Sequence, residues 1–385
     1  MNAENEIKTG RVTEKEFVEM FGSETLKGSY NKNGHFVGCN KKTLLSTAAR
    51  YCHYKKLGLR KYEIVDVYKY PLPTNFSKMN TSLYGYIIPL ILKKLTDGVC
   101  GYEAITASSV KLAEDIDMFN RNYNLVRYNK VELSDYFGVQ VSIIDEFCRR
   151  AKRMIEWYIA NSLNYLESAG LIVWQEVYWV YKEKVNNCNL DNERTIELDV
   201  STHRHRATKE EIDYYTRCVD VADKRAGISN ERERYYSTKS EVFKKVLSAE
   251  LYKKKIRRVY KNLEVYCVNI DRCKYLLDFF KIGDTDKFIK EFNNAVTKIL
   301  TQQADSRYKK YPNKYNIYGS KKDYVSFFKG MCDITIDKDM ESLRNILSPK
   351  TIQDNYKLKF THRDLNQTNN FSQNKQNAEN NVLEK

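Results

Sequence analysis

Residues 142–184 read SIIDEFCRRAKRMIEWYIANSLNYLESAGLIVWQEVYWVYKEK, and two periodicities meet inside that stretch. From Ser142 to about Ser168, apolar side chains recur at helical spacing: Ile143, Ile144, Phe147, Ala151, Met154, Ile155, Tyr158, Leu163 and Leu166. The stripe predicts one long amphipathic helix, capped by Ser142 and stopped by Gly170. From Leu171 to Lys184 the composition turns to Trp174, Val177, Tyr178, Trp179, Val180 and Tyr181, residues that suit a pleated surface and predict a strand. Upstream, Leu133–Phe137 reads as a short helix broken by Gly138. Downstream, polar Val185–Asn192 reads as a turn, and Arg194–Val200 as a returning strand with Ile196, Leu198 and Val200 on one face. Short helix, long helix and hairpin is the order of a winged-helix domain, whose hairpin stands as a wing beside a recognition helix so that both touch duplex phosphates. An ordinary α+β module with a hairpin is the alternative.

A similar parts list opens the chain. Thr13 and Glu16 make a capping box before Phe17, Val18 and Phe21. Leu44, Leu45, Ala48, Tyr51 and Cys52 fit a helix from Lys41 to Lys56, Gly58 ends it, and Lys61–Tyr70 reads as a strand closed by Pro71 and Pro73. Further along, Leu83–Leu95 and Val110–Tyr123 read as helices. Thr208 and Glu211 open another that reaches about Arg225, Thr238–Tyr260 a strongly basic one, and Leu263–Ile270 a strand. Phe288–Leu300 and Tyr324–Met331 close the series of helices. From about Asn366 the chain is rich in Asn and Gln with almost no apolar content, the composition of a disordered tail. The expected fold is α+β and mostly helical: a basic helix-plus-strand module over 1–75, a helical segment over 76–130, and a winged-helix-type module over 131–202. A helical C-terminal domain over 203–350 and a disordered tail over 351–385 complete it.

Charge narrows the class of partner. Of 385 residues, 65 are Lys or Arg and 50 are Asp or Glu, a net charge of +15 with 42% hydrophobic content. Real cores are therefore expected, and the positive surplus favours a polyanion, because fixed cations displace counterions condensed on phosphates. A bias toward Lys, Tyr and Asn from an AT-rich coding sequence is the bland explanation. The longest apolar run, Ile87–Leu92, contains Pro89 and falls far short of the roughly 20 residues of a membrane span. The N-terminus lacks a basic start and an apolar core, so no secretion is expected. The 9 cysteines are odd in number and scattered, with no Cys-x-x-Cys pair, which suits reduced thiols in a cytoplasm.

The strongest functional signal is the stretch from Thr25 to Tyr62, which contains no Asp or Glu. Lys41, Lys42, Arg50, Lys55, Lys56, Arg60 and Lys61 fall in it, and a surface that approaches phosphates is one from which acids are excluded; a solvated face is the alternative. Arg149, Arg150, Lys152 and Arg153 on the long helix form a second candidate set for backbone contacts or guanine readout, with Asp145, Glu146 and Glu156 near enough to make ion pairs instead. Lys253, Lys254, Lys255, Arg257, Arg258 and Lys261 read as a basic block in one helix. Arg307–Lys322 interleaves tyrosines with lysines, a pattern that stacks single-stranded bases or packs a loop on its own domain. No catalytic motif stands out, and no cofactor or metal is expected. His203 and His205 lack a third ligand, and Glu197 with Asp199 would make a metal-dependent nuclease only as the rival reading.

Two segments carry a resemblance: Lys42-Thr-Leu-Leu-Ser-Thr-Ala-Ala-Arg-Tyr-Cys-His-Tyr-Lys-Lys56 with Arg60-Lys-Tyr-Glu-Ile-Val-Asp-Val-Tyr68 and Pro71, and His205-Arg-Ala-Thr-Lys-Glu-Glu-Ile212. They resemble segments of uncharacterised winged-helix-like proteins of phages and plasmids of low-GC Gram-positive bacteria. The resemblance covers about a tenth of the chain; it implies a helix-turn-helix-like module in the first segment and a mobile-element DNA-binding protein. The sequence thus predicts a non-catalytic cytoplasmic protein, replication-associated or regulatory, whose partner is double-stranded DNA. Single-stranded nucleic acid and a homodimer are secondary candidates, no membrane is expected, and a structural or protein-interaction factor is the third class.

Overall fold

A computed structural model describes residues 7–74, 76–79, 81–97, 104–137, 139–186, 199–230, 233–236, 239–312, 321–337 and 343. In chain order, β1 (Gly10–Thr13) leads into α1 (Glu14–Phe21), α2 (Glu24–Asn33) and α3 (Asn40–Ala48), and the hairpin β2 (Cys52–Gly58) and β3 (Lys61–Val67) follows. Next come α4 (Phe76–Met79), α5 (Tyr84–Thr96), β4 (Ala104–Ala107), α6 (Ser109–Asp115), α7 (Asn122–Tyr128), α8 (Lys130–Phe137) and α9 (Val141–Ser168). β5 (Ile172–Asn186), β6 (Asp199–Arg206), α10 (Lys209–Ala226), α11 (Glu233–Tyr236), α12 (Ser240–Tyr252), β7 (Ile256–Cys267) and α13 (Ile270–Phe279) precede α14 (Thr285–Lys310) and α15 (Lys321–Ile336). The fold is α+β and mostly helical, with two antiparallel sheets. It divides into one unit of Met1–Leu112 with Tyr158–Gly283 and another of Ala113–Trp157 with Asp284–Lys385.

Within the first unit, the N-terminal module is a three-helix layer on a sheet of order β1-β3-β2. The capping box forms as its residues require: the Thr13 side chain accepts from the Glu16 N–H, and Glu16 Oε2 accepts from the Thr13 N–H at 2.7 Å. Ser23 caps α2, and Gly34, left-handed at φ 65°, ends it. Alternation in the central strand turns Tyr62 and Ile64 toward the helices, where they meet Phe17, Val18, Phe21, Leu44 and Ala48. Phe17 stacks on Tyr62 with centroids 4.4 Å apart and meets Tyr54 edge-on at 5.2 Å. The helix expected over Lys41–Lys56 stops at Ala48, and Lys55 and Lys56 lie on β2 instead. Cys52 and Tyr54 face inward and His53 and Lys55 outward, and pairing with β3 overrides the helical reading of these residues.

The second sheet has the order β4-β7-β5-β6. The hairpin expected as a free wing thus contains an interior strand, because β5 pairs with β7 on one edge and β6 on the other. The long helix forms, with Ser142 inside its first turn rather than capping it, and residues up to Trp157 belong to one unit and those from Tyr158 to the other, so residues 131–202 are divided between the two. Thr238–Tyr260 is likewise not one helix: α12 ends at Tyr252, Lys255 turns the chain at φ 57°, and β7 begins at Ile256. The stretch expected as a single helix over Val110–Tyr123 is broken between α6 and α7. In the other unit, Phe119, Tyr123, Phe147, Phe292, Tyr324 and Phe328 are fully buried, and Asn293 Nδ2 donates to the Ile336 carbonyl at 3.0 Å. The tail from Asn366 lies outside the described residues. Among the described residues no helix is long and apolar enough to cross a membrane.

Phe17→Ala removes a ring buried among three aromatic neighbours and is expected to cost about 3–5 kcal/mol in urea unfolding. A loss below ~1 kcal/mol would contradict this packing.

Candidate nucleic-acid interface

The N-terminal module is pinned at a buried carboxylate. Glu14, the first residue of α1, is 5% exposed. Tyr30 from α2 donates its hydroxyl to Oε2 at 3.3 Å, and Tyr62 from β3 donates to Oε1 at 3.5 Å. Lys41 Nζ, in the first turn of α3, lies 3.6 Å from Oε1, and Arg60 Nε, in the hairpin turn, 3.8 Å from Oε2. The Glu14 N–H donates to the Arg60 carbonyl at 2.9 Å. A buried carboxylate is costly unless charge and hydrogen bonds surround it, and here two cations and two hydroxyls do so. The consequence is geometric: the start of α3 and the turn of the β2–β3 hairpin are held at the same corner of the module. Burial first, and the Glu14 charge second, push the Tyr62 hydroxyl up to about 12 and raise that of Tyr30, so both stay protonated donors.

Around this corner the cations of the acid-free stretch differ in role. Lys42 on α3, Lys55 and Lys56 on β2 and Lys61 on β3 are exposed, and among the described residues none has a carboxylate within ion-pair distance. Lys55 faces Glu63 across the ladder without reaching it. Among the described carboxylates Lys41 and Arg60 reach Glu14 alone. Leu59 at the hairpin tip is 91% exposed, the largest value among the exposed hydrophobics, and Leu57 beside it is also exposed. Arg50 departs from expectation: its Nε donates to the Leu72 carbonyl at 2.9 Å and its guanidinium lies over Tyr51, so it fastens the chain leaving β3 to the end of α3.

The second cationic set is not a free face. Arg149 lies 3.1 Å from Asp145, Arg150 3.7 Å from Glu146 and Lys152 3.4 Å from Glu156, all one helical turn apart, and Lys130 pairs with Asp145 as well. Arg307 adds to Glu146 at 3.5 Å. Arg153 is exposed. The cluster is a salt-bridged helix surface, the arrangement in which charges cancel locally and add little to stability. The basic block after residue 252 is split between a turn and β7, where Lys253 meets Glu250 at 2.5 Å, Lys261 meets Glu176 at 3.0 Å and Arg257 meets Glu183. Of the tyrosine-lysine stretch, Tyr308, Lys309 and Lys310 end α14, and 313–320 lie outside the described residues.

His203 and His205 share a strand face with ring centroids 5.2 Å apart, and His205 Nε2 is 2.9 Å from Glu211. Among the described residues no group of three or more His, Cys, Asp or Glu could hold a metal ion. Glu197 and the Asp199 side chain lie outside the described residues. Glu14 escaped the sequence reading although it borders the acid-free stretch in space: beside Glu16 in the first turn of α1 it looks like ordinary helix-start chemistry. No family model, curated protein or solved structure matches the chain.

Folding favours the neutral Tyr62 hydroxyl, so its contribution is intact below about pH 10 and lost as pH rises toward about 12. Tyr62→Phe is expected to cost about 1 kcal/mol at neutral pH and to make the alkaline fall in thermal midpoint shallower than in the intact protein. Parallel falls would rule out the buried Glu14–Tyr62 contact.

Proposed function

We propose that residues 1–75 form a winged helix that binds duplex DNA, and that the chain is a non-catalytic DNA-binding protein acting in the cytoplasm as a replication-associated or regulatory factor of a mobile element. In this reading α1, α2 and α3 are the helical layer, α3 is the recognition helix and β2–β3 is the wing. The observation that carries it is the set of four lysines, Lys42, Lys55, Lys56 and Lys61, left without carboxylate partners on the helix and hairpin whose ends meet at Glu14.

Three further features support it. The first turn of α3 contains no acid, and its N-cap, Cys39, supplies no side-chain acceptor; the Asn40 N–H donates to the Val37 carbonyl, which leaves the N–H groups of Lys41 and Lys42 for a phosphate. Lys41 and Arg60, held by one shared carboxylate, keep a positive balance at the corner. Leu59, exposed between cations at the tip of the hairpin, has the character of a side chain that enters a groove and presses on base steps. The paired arginines of α9 take no part in this reading, because each would have to give up a carboxylate first.

The test is duplex affinity as a function of salt. Replacing Lys42, Lys55, Lys56 and Lys61 by Ala is expected to weaken binding and to flatten the slope of log affinity against log salt by about 0.9 per lost phosphate contact, roughly 3 to 4 in all. Arg149→Ala with Arg150→Ala should leave the slope as it is. An unchanged slope in the lysine variant removes the assignment.

A further inference from the structure

The four-stranded sheet has two unlike faces. On one, Val180 and Ile256 pack with Cys218 of α10 and Leu251 of α12 into a buried cluster, and Leu263 and Val265 are buried further along the same face. The other face begins at its far end with Val173 and Tyr266, paired across the ladder and 53% and 42% exposed. Toward the opposite end, the register sets Trp179 beside Arg206 and Tyr260, and Tyr181 beside Arg204 and Arg258. Directly opposed residues project from the same side of a sheet, so three aromatic rings and three arginines share one face: Val177, Asn262 and Glu264 are buried in its middle, the rings are half-buried, and the arginines are exposed.

These side chains form a continuous stack. The Arg204 guanidinium lies 4.3 Å from the Trp179 ring and 5.4 Å from that of Tyr260. Tyr260 stacks on Tyr181 with centroids 5.4 Å apart, and Arg258 lies 5.9 Å from Tyr260. Nε1 of Trp179 is buried and has no hydrogen-bond partner among the described residues. The carboxylates described on this face are both engaged. Glu264 accepts from Gln175 at 3.2 Å and Tyr266 at 3.1 Å and lies 3.4 Å from Arg206, and Glu183 pairs with Arg257. Arg204 and Arg258 have no carboxylate within ion-pair distance among the described residues. The face therefore presents exposed, uncompensated guanidinium groups backed by half-buried aromatic rings.

We infer that this face binds single-stranded nucleic acid, with Arg204 and Arg258 holding the phosphates and unpaired bases stacking on the guanidinium planes that Trp179 and Tyr260 back. A duplex hides its base faces, so the chemistry selects unpaired strands, and stacking on a guanidinium plane accepts any base while the arginine charge supplies the salt-dependent grip. The site is separate from the cationic corner of the N-terminal module and does not depend on that module's binding to duplex.

The experiment is anisotropy titration of the full chain at low salt with labelled oligothymidylate, oligouridylate and a blunt duplex, with tryptophan emission followed in parallel. Binding of either single strand with quenching of tryptophan emission is expected, and the ratio of the two affinities separates DNA from RNA. Trp179→Leu with Arg204→Ala should weaken single-strand binding by about tenfold or more and leave duplex affinity unchanged. Arg258→Gln, an exposed change, should weaken it several-fold without altering the thermal midpoint. Three results overturn the inference: neither single strand binds, both variants bind as the intact protein does, or the variants lose duplex and single-strand affinity together. Displacement by polyglutamate as effective as by oligonucleotide also overturns it, since an acidic peptide would then be the better description.

Discussion

Glu14 is the contact on which the N-terminal module turns. A carboxylate in an apolar layer tolerates burial only where positive charge and hydroxyl donors converge on it, and here the donors come from α2, α3, β3 and the hairpin turn. Each of those elements is thereby placed with respect to the others by one group. The aromatic cluster of Phe17, Phe21, Tyr54 and Tyr62 supplies the apolar burial, but it is the acid that fixes where the hairpin turn stands beside the first turn of α3.

The two cationic sets look alike as strings of letters and differ in their electrostatics. On α9 the acids one turn away intercept Arg149, Arg150 and Lys152, so little field extends into solvent. Around α3 and the hairpin the acid in ion-pair distance among the described residues is Glu14, buried and shared by Lys41 and Arg60, and Lys42, Lys55, Lys56 and Lys61 have no carboxylate in that range. This contrast gives physical content to an acid-free stretch: what matters is less the number of cations than the absence of carboxylates able to close on them. The same contrast recurs on the four-stranded sheet, where Glu264 and Glu183 take Arg206 and Arg257 and leave Arg204 and Arg258.

Short-range signals were legible in the sequence. Both capping boxes form, at Thr13 with Glu16 and at Thr208 with Glu211, and the long helix spans Val141–Ser168, two residues beyond its apolar stripe at each end. Long-range pairing was not legible. Leu44, Leu45, Ala48, Tyr51 and Cys52 satisfy a helical period, yet Cys52 and Tyr54 also satisfy a strand, and the choice is made by β3 across the hairpin. The second strand partner of β5 lies more than seventy residues downstream in β7, beyond any local pattern, so a hairpin that reads as a wing is part of a larger sheet. Of the candidate site, Lys42, Lys55, Lys56 and Lys61 were legible from the missing acids, whereas Glu14, the anchoring role of Arg50 and the aromatic face of the sheet required the fold.

The account rests on uncompensated lysines at one corner of the N-terminal module, and lysine-reactive labelling read by mass spectrometry, with and without duplex DNA, tests it most directly. Protection of Lys42, Lys55, Lys56 and Lys61, with Lys152 labelled equally in both states, is the result it predicts. Protection at Lys152 with the four N-terminal lysines still reactive would contradict it.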